Sequence, residues 1–137
     1  MTAGYSRRGL TEKLGVKPGT TVTVLGAPAG YRRLLAPVPA GVRFVNRLAA
    51  GAGFVHQFAR RRSELEAAFP RLARALEDTG TLWVSWPKRA AKVETDLTED
   101  VVRGIGLAAG LVDVKVCAVD QTWSGLKFVR RLRDRKR

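Results

Sequence analysis

The chain has 137 residues, 45% of them hydrophobic, which suits one domain with a core of its own. Its 25 Lys and Arg against 12 Asp and Glu give a formal charge of +13, interspersed with apolar residues, so a folded basic domain is expected and a disordered chain is not. One Cys and one His exclude a zinc cluster and an internal disulfide; no apolar run approaches the roughly 18 residues that cross a bilayer, and no signal-peptide stretch opens the chain, so the cytoplasm is expected.

In chain order, LTEKLG (10 to 15) fits a short helix stopped by Gly15, and VKPGT is a turn. TTVTVLG (20 to 26), rich in β-branched residues, is the first expected strand. GAPAGYRRLLAP then supplies a glycine-rich loop and a short helix that ends before Pro37. VRFVN (42 to 46) and GFVHQF (53 to 58) are the second and third strands.

From Ser63 to Asp78 the residues Leu65, Phe69, Leu72 and Leu76 recur on one helical face, and Ser63 with Glu66 has the spacing of a capping box. Pro70 should kink that helix. TLWVSW (81 to 86) is apolar at nearly every position, as a strand covered on both faces should be. Asp96 and Glu99 cap a further helix that runs to Gly110, and VDVKVCAVD with LKFVRRL, joined by QTWSG, forms an antiparallel hairpin. Neither a repeat nor a long linker divides the chain. The expected architecture is a single Rossmann-like three-layer α/β domain over 1–131, with a mostly parallel sheet of about six strands ending in that hairpin, and a basic flexible tail at 132–137.

Ligands of open α/β sheets sit beyond the carboxyl ends of the strands. The loops after the first, third and fourth strands carry Arg32 and Arg33, then Arg60, Arg61 and Arg62, then Lys88, Arg89 and Lys92, with no acid among them. They predict one basic crevice for a phosphate-bearing ligand or nucleic acid. Gly26 and Gly30 would shape its glycine loop, and Tyr31 and Trp86 would offer faces on which a base stacks. The bland alternatives are a merely solvated charge, a plain turn at GAPAG, which is not GxGxxG, and packing roles for Trp83, Trp86, His56 and Cys117.

Catalytic patterns are weak. A Ser-His-Asp arrangement would need His56, which lacks a nucleophile elbow or a neighbouring Asp, and thiol chemistry would need Cys117 exposed beside a base. Asp96, Glu99 and Asp100 look like helix caps, which leaves Asp120 beside Trp123 in the hairpin turn. The residues therefore favour a non-catalytic binding or regulatory module without metal or cofactor; a small transferase and a protein-interaction module are the alternatives.

Two resemblances add to this. The stretches MTAGYS, KLGVKPG, LWVSWPK, TDLTEDVVR and GLVDVKVCAVDQTWSGLKFVRR together resemble a small bacterial family, the domain of unknown function numbered 3052, which implies an actinobacterial, cytosolic protein and carries no activity. More distantly, a strand, a helix, GTLWVSWPK, another helix and a closing hairpin are similar to the later part of class I methyltransferases, and the short link from Asn46 to Gly53 fits that pattern. This likeness implies S-adenosylmethionine near Gly26 and Gly30. The chain has GAPAG where that family carries its glycine-rich loop, and Asn46 where an acid usually holds the ribose.

Overall fold

Runs rich in β-branched and aromatic residues become the strands of one sheet in the computed structural model, which describes residues 9–136. The motif MTAGYS lies outside the described residues. Helix α1 (Leu10–Leu14) leads to β1 (Thr21–Leu25), α2 (Tyr31–Leu35), β2 (Arg43–Val45), β3 (Ala52–Phe58), α3 (Arg62–Ala75) and β4 (Leu76–Pro87). Helix α4 (Glu99–Ala108) and the hairpin strands β5 (Leu111–Ala118) and β6 (Trp123–Arg130) complete the chain, with single 3₁₀ turns at Arg89–Ala91 and Leu132–Asp134.

The sheet order is β2-β1-β3-β4-β6-β5. Strands β2, β1, β3 and β4 run parallel, and β6 lies antiparallel between β4 and β5. The expected α/β class, Rossmann-like layering and closing hairpin are all present. The β2 to β3 connection is too short for a crossover helix; it passes through Gly51, whose N–H donates to the Ala75 carbonyl at 2.8 Å.

Two cores sandwich the sheet. On one face Leu65, Phe69 and Leu72 of α3 and Val102 of α4 pack on Val55, Leu82, Val84, Leu126 and Phe128. On the other, Leu14, Tyr31 and Leu35 cover Val22, Phe54, Phe58 and Trp83, and the Trp83 indole donates to the Leu14 carbonyl at 2.9 Å. Each large apolar side chain so buried contributes about 1.5–3 kcal/mol. Gly106 sets the depth of α4: a Cβ there would meet Cε1 of Phe128 at 2.1 Å.

Several local expectations are corrected. Ser63 caps nothing, because α3 begins one residue earlier and its Arg62 N–H donates to Asp96 Oδ1 at 2.7 Å. Asp96, expected to cap α4, thus caps α3 from a distant loop. Thr98 caps α4 instead, accepting from the Val101 N–H at 3.2 Å. Helix α3 continues through Pro70 and then yields early to β4, which claims Leu76, Glu77 and Asp78. Within the basic tail a single 3₁₀ turn forms, and the Lys136 N–H donates to Asp78 Oδ2 at 2.9 Å.

Candidate functional site

The glycine loop after β1 does two different jobs. Gly26 has φ 70°, and a Cβ on it would lie 2.9 Å from the Phe58 carbonyl, so its smallness lets the end of β1 close against the end of β3. Gly30, with φ 85°, turns the chain into α2. Between that first turn of α2 and the end of β2 lies a cleft of about 660 Å³, lined by Val24, Gly30, Arg33, Phe44, Val45 and Asn46. Arg32 also borders it, with its guanidinium carbon 5.0 Å above the Phe44 ring centroid, within cation–π range. The cleft stands at the carboxyl ends of β1 and β2, where ligands of such sheets bind.

The twelve predicted ligand residues do not form one crevice. Gly30, Tyr31, Arg32 and Arg33 belong to the cleft just described, whereas Trp86, Lys88 and Arg89 line a second one of about 400 Å³ beyond β4. Arg60 and Arg61 are exposed in the loop between β3 and α3, and Arg62, the exposed first residue of α3, is engaged by Glu66 at 2.9 Å. Lys92 is exposed with φ 57°. The segment after the 3₁₀ turn bridges to the Arg60 loop: Thr95 Oγ1 donates to the Arg60 carbonyl at 2.6 Å, and Asp96 holds Arg62. An acid the sequence assigned to another helix therefore sits in the middle of the supposed basic wall.

The stacking faces are also absent. Tyr31 is 5% exposed; its ring packs edge-on against Phe44, His56 and Phe58. Trp86 is 5% exposed and packs in the α3/α4 core. Both face inward because α2 and β4 present these positions to the sheet interior.

Beneath the first cleft runs a buried polar chain. Tyr31 Oη lies 2.7 Å from His56 Nδ1, and His56 Nε2 lies 2.7 Å from Ser85 Oγ. The imidazole is fully buried and stacks on Phe58 at 4.3 Å; burial pushes its pKa down to about 3, so it is neutral, with one ring nitrogen donating and the other accepting. The packing role expected for His56 holds. Its partners were missed, since a Tyr and a Ser from separate elements leave no spacing signal.

Other candidates are structural. Asp120 Oδ1 accepts from the Thr122 and Trp123 N–H groups, both at 2.8 Å, and so shapes the hairpin turn. Cys117 is half-buried, with burial pushing its thiol up, against thiolate chemistry. Among the described residues no group of three or more His, Cys, Asp or Glu could hold a metal. Also among them, no helix is long and apolar enough to cross a membrane.

No protein-family model and no curated protein matches the sequence, so the resemblance to the domain of unknown function 3052 is set aside as unsupported. Solved structures do match. A magnesium protoporphyrin IX methyltransferase from Synechocystis PCC 6803 with bound SAH superposes with a TM-score of 0.58 at 15% identity, over 83% of this chain and 75% of that one. A TehB-like SAM-dependent methyltransferase from Corynebacterium glutamicum gives 0.58 at 12% identity, over 94% and 91%. An O-methyltransferase from neocarzinostatin biosynthesis, in complex with SAM, gives 0.62 at 16% identity, over 82% of this chain and only 49% of that one.

The fold is thus that of class I SAM-dependent methyltransferases. This overturns the expectation of a non-catalytic module without a cofactor: several methyltransferases with this topology hold SAM or SAH, and the comparison favours the transferase alternative.

The first cleft can be tested against such a cofactor by its donor set. Asn46, just after β2, has an exposed amide that makes no hydrogen bond within the described chain, and an amide can both donate to and accept from ribose hydroxyls. Arg33 is exposed without a carboxylate partner among the described residues, and suits the cofactor's own carboxylate. Val24, Phe44 and Val45 supply apolar wall. The volume is in the range of small-molecule sites. These residues fit the group, with a neutral amide in place of an acid.

Proposed function

We propose that this chain binds S-adenosylmethionine in the cleft between α2 and β2 and serves as a methyltransferase of reduced architecture. The observation that carries this reading is the position of the cleft: it lies at the carboxyl ends of β1 and β2, in a sheet whose order and closing hairpin are shared with SAM-bound methyltransferases. The cofactor, when bound, supplies an activated methyl group on its sulfonium. The protein's part is to bind and orient. Asn46 holds the ribose hydroxyls, Arg33 holds the carboxylate, and the Tyr31–His56–Ser85 chain fixes the first turn of α2 against β3 and β4. The lone Cys117, which can form no internal disulfide, agrees with a reducing cytoplasm.

The reading is tested by irradiating the protein with methyl-labelled S-adenosylmethionine and mapping the labelled peptide. Label is expected on the stretch from Val24 to Asn46 and should be suppressed by excess SAH. Label that is absent, or that SAH does not suppress, contradicts it.

A further inference from the structure

The sheet has two outer edges, β2 and β5, and they differ in kind. Strand β2 is three residues long, and with the neighbouring α2 it carries Arg32, Arg33 and Arg43 without an acid. Like charges on a short edge repel a second strand, which is a common way of protecting it. Strand β5 is eight residues long and holds no proline, with one acid and one base, Asp113 and Lys115. Helix α4 is joined to it where Arg103 Nε donates to Asp113 Oδ2 at 2.8 Å, and α4 adds only Glu99, Asp100 and Arg103. In a chain at +13, this side is close to neutral.

Its apolar side chains face solvent. Val114 and Val116 are 54% and 50% exposed, and Leu107, one turn on from Arg103 along the same helical face, is 40% exposed. Three of the five large apolar side chains exposed among the described residues thus gather at this edge. Lys115, the residue that would guard the strand, reaches away to the Lys13 carbonyl at 3.0 Å. The register against β6 shifts between Asp113 and Lys115, so Val114 stands as a bulge. Past it, residues 115–118 pair regularly with residues 124–127, and no further strand lies on their outer side.

We propose that β5 pairs antiparallel with β5 of a second copy of this chain about a two-fold axis, joining the two sheets into one. Charge selects the occupant. Two chains at +13 can approach only through a face of low charge, whereas an acidic partner would be drawn to the side of Arg32, Arg33 and Arg43. The strand also suits its own copy. With the axis at Val116, valine meets valine across the two copies, Val114 meets Ala118 and Lys115 meets Cys117, so no like charges are directly opposed. The shared face is small, which gives a reversible dimer with a Kd of about 10–100 µM. The pairing stands whether or not the cleft between α2 and β2 holds S-adenosylmethionine.

Sedimentation velocity of the full chain from about 5 to 500 µM tests the pairing, and the native chain should pass from monomer to dimer across that range. Val116→Lys, and separately Val114→Lys, each add a charge at an exposed edge position; both should keep the native circular dichroism and stay monomeric at about 500 µM. Leu132→Lys changes an apolar side chain that is 78% exposed outside β5 and α4, and should dimerise like the native chain. Raising salt from about 50 to 300 mM screens the repulsion between the two chains and should tighten the dimer. Amide hydrogen exchange needs no variant: protection at residues 115–118 should rise with protein concentration while Arg43–Val45 stays unchanged. A native chain monomeric at about 500 µM, a folded Val116→Lys that still dimerises, or equal loss in Leu132→Lys overturns the proposal. So does a dimer that salt weakens, or protection that rises at Arg43–Val45 instead.

Discussion

The phenol oxygen of Tyr31 lies 2.7 Å from Nδ1 of His56, and this one contact ties the first turn of α2 to the strand in the middle of the sheet. Ser85 on β4 takes the other imidazole nitrogen at the same distance, so three elements meet on one neutral ring. Removing the phenol hydroxyl leaves a fully buried nitrogen without its partner. Tyr31→Phe should therefore destabilise the fold by about 1–3 kcal/mol in urea denaturation, although the ring and its packing are kept. A loss below about 0.5 kcal/mol would show that the chain of bonds is not formed.

The same ring predicts a pH dependence. Its folded-state pKa is depressed to about 3 from the ordinary 6.5, so the unfolded chain takes up a proton on acidification before the native state does. The stability from keeping His56 neutral is fully present above 6.5 and declines as pH falls from there toward 3. The slope from this group approaches about 1.4 kcal/mol per pH unit below its unfolded pKa. Comparison with His56→Gln from pH 7 to about 5, before most carboxylates titrate, isolates it: the native chain should lose stability and the variant should not. Parallel curves would contradict the assignment.

Gly106 and Phe128 make the third test. An added Cβ would overlap the phenyl ring, which is itself wedged edge-on against Phe69 with ring centroids 5.5 Å apart, so neither partner can give way. Gly106→Ala should cost about 1–3 kcal/mol despite alanine's better helix propensity, whereas Gly104→Ala on the same helix, with open space around its Cβ, should stabilise by about 0.4–1 kcal/mol. Thermal melts of the two variants should move in opposite directions.

Helix α3 offers a fourth. Asp96→Ala removes the acceptor that caps Arg62 and should cost about 0.5–2 kcal/mol, while Ser63→Ala should be near neutral. The reverse ranking would restore the local capping box that the sequence suggested.

These cases show what was legible in the chain. Strand composition, the helical face of Leu65, Phe69 and Leu72, and the short β2 to β3 link are local signals, and each pointed to the observed architecture. Contacts between distant segments were not legible. Asp96 has the spacing of a cap for α4, and only the folding of its loop over Arg60 assigns it to α3. Tyr31 and Trp86 stand next to basic residues in the sequence, yet both point inward while Arg32, Arg33 and Arg89 point outward. The basic loops share one edge of the sheet without sharing one cavity, because the segment bearing Thr95 and Asp96 lies against the Arg60 loop. Phe44 and Val45 in the cleft between α2 and β2 carried no sequence signal beyond strand propensity.

Calorimetric titration of the full chain with SAH tests the central claim most directly. The account predicts saturable one-site binding that Asn46→Ala weakens by about tenfold or more and Lys88→Gln leaves unchanged. No saturable binding at about millimolar SAH, or binding indifferent to Asn46, would contradict a cofactor site between α2 and β2.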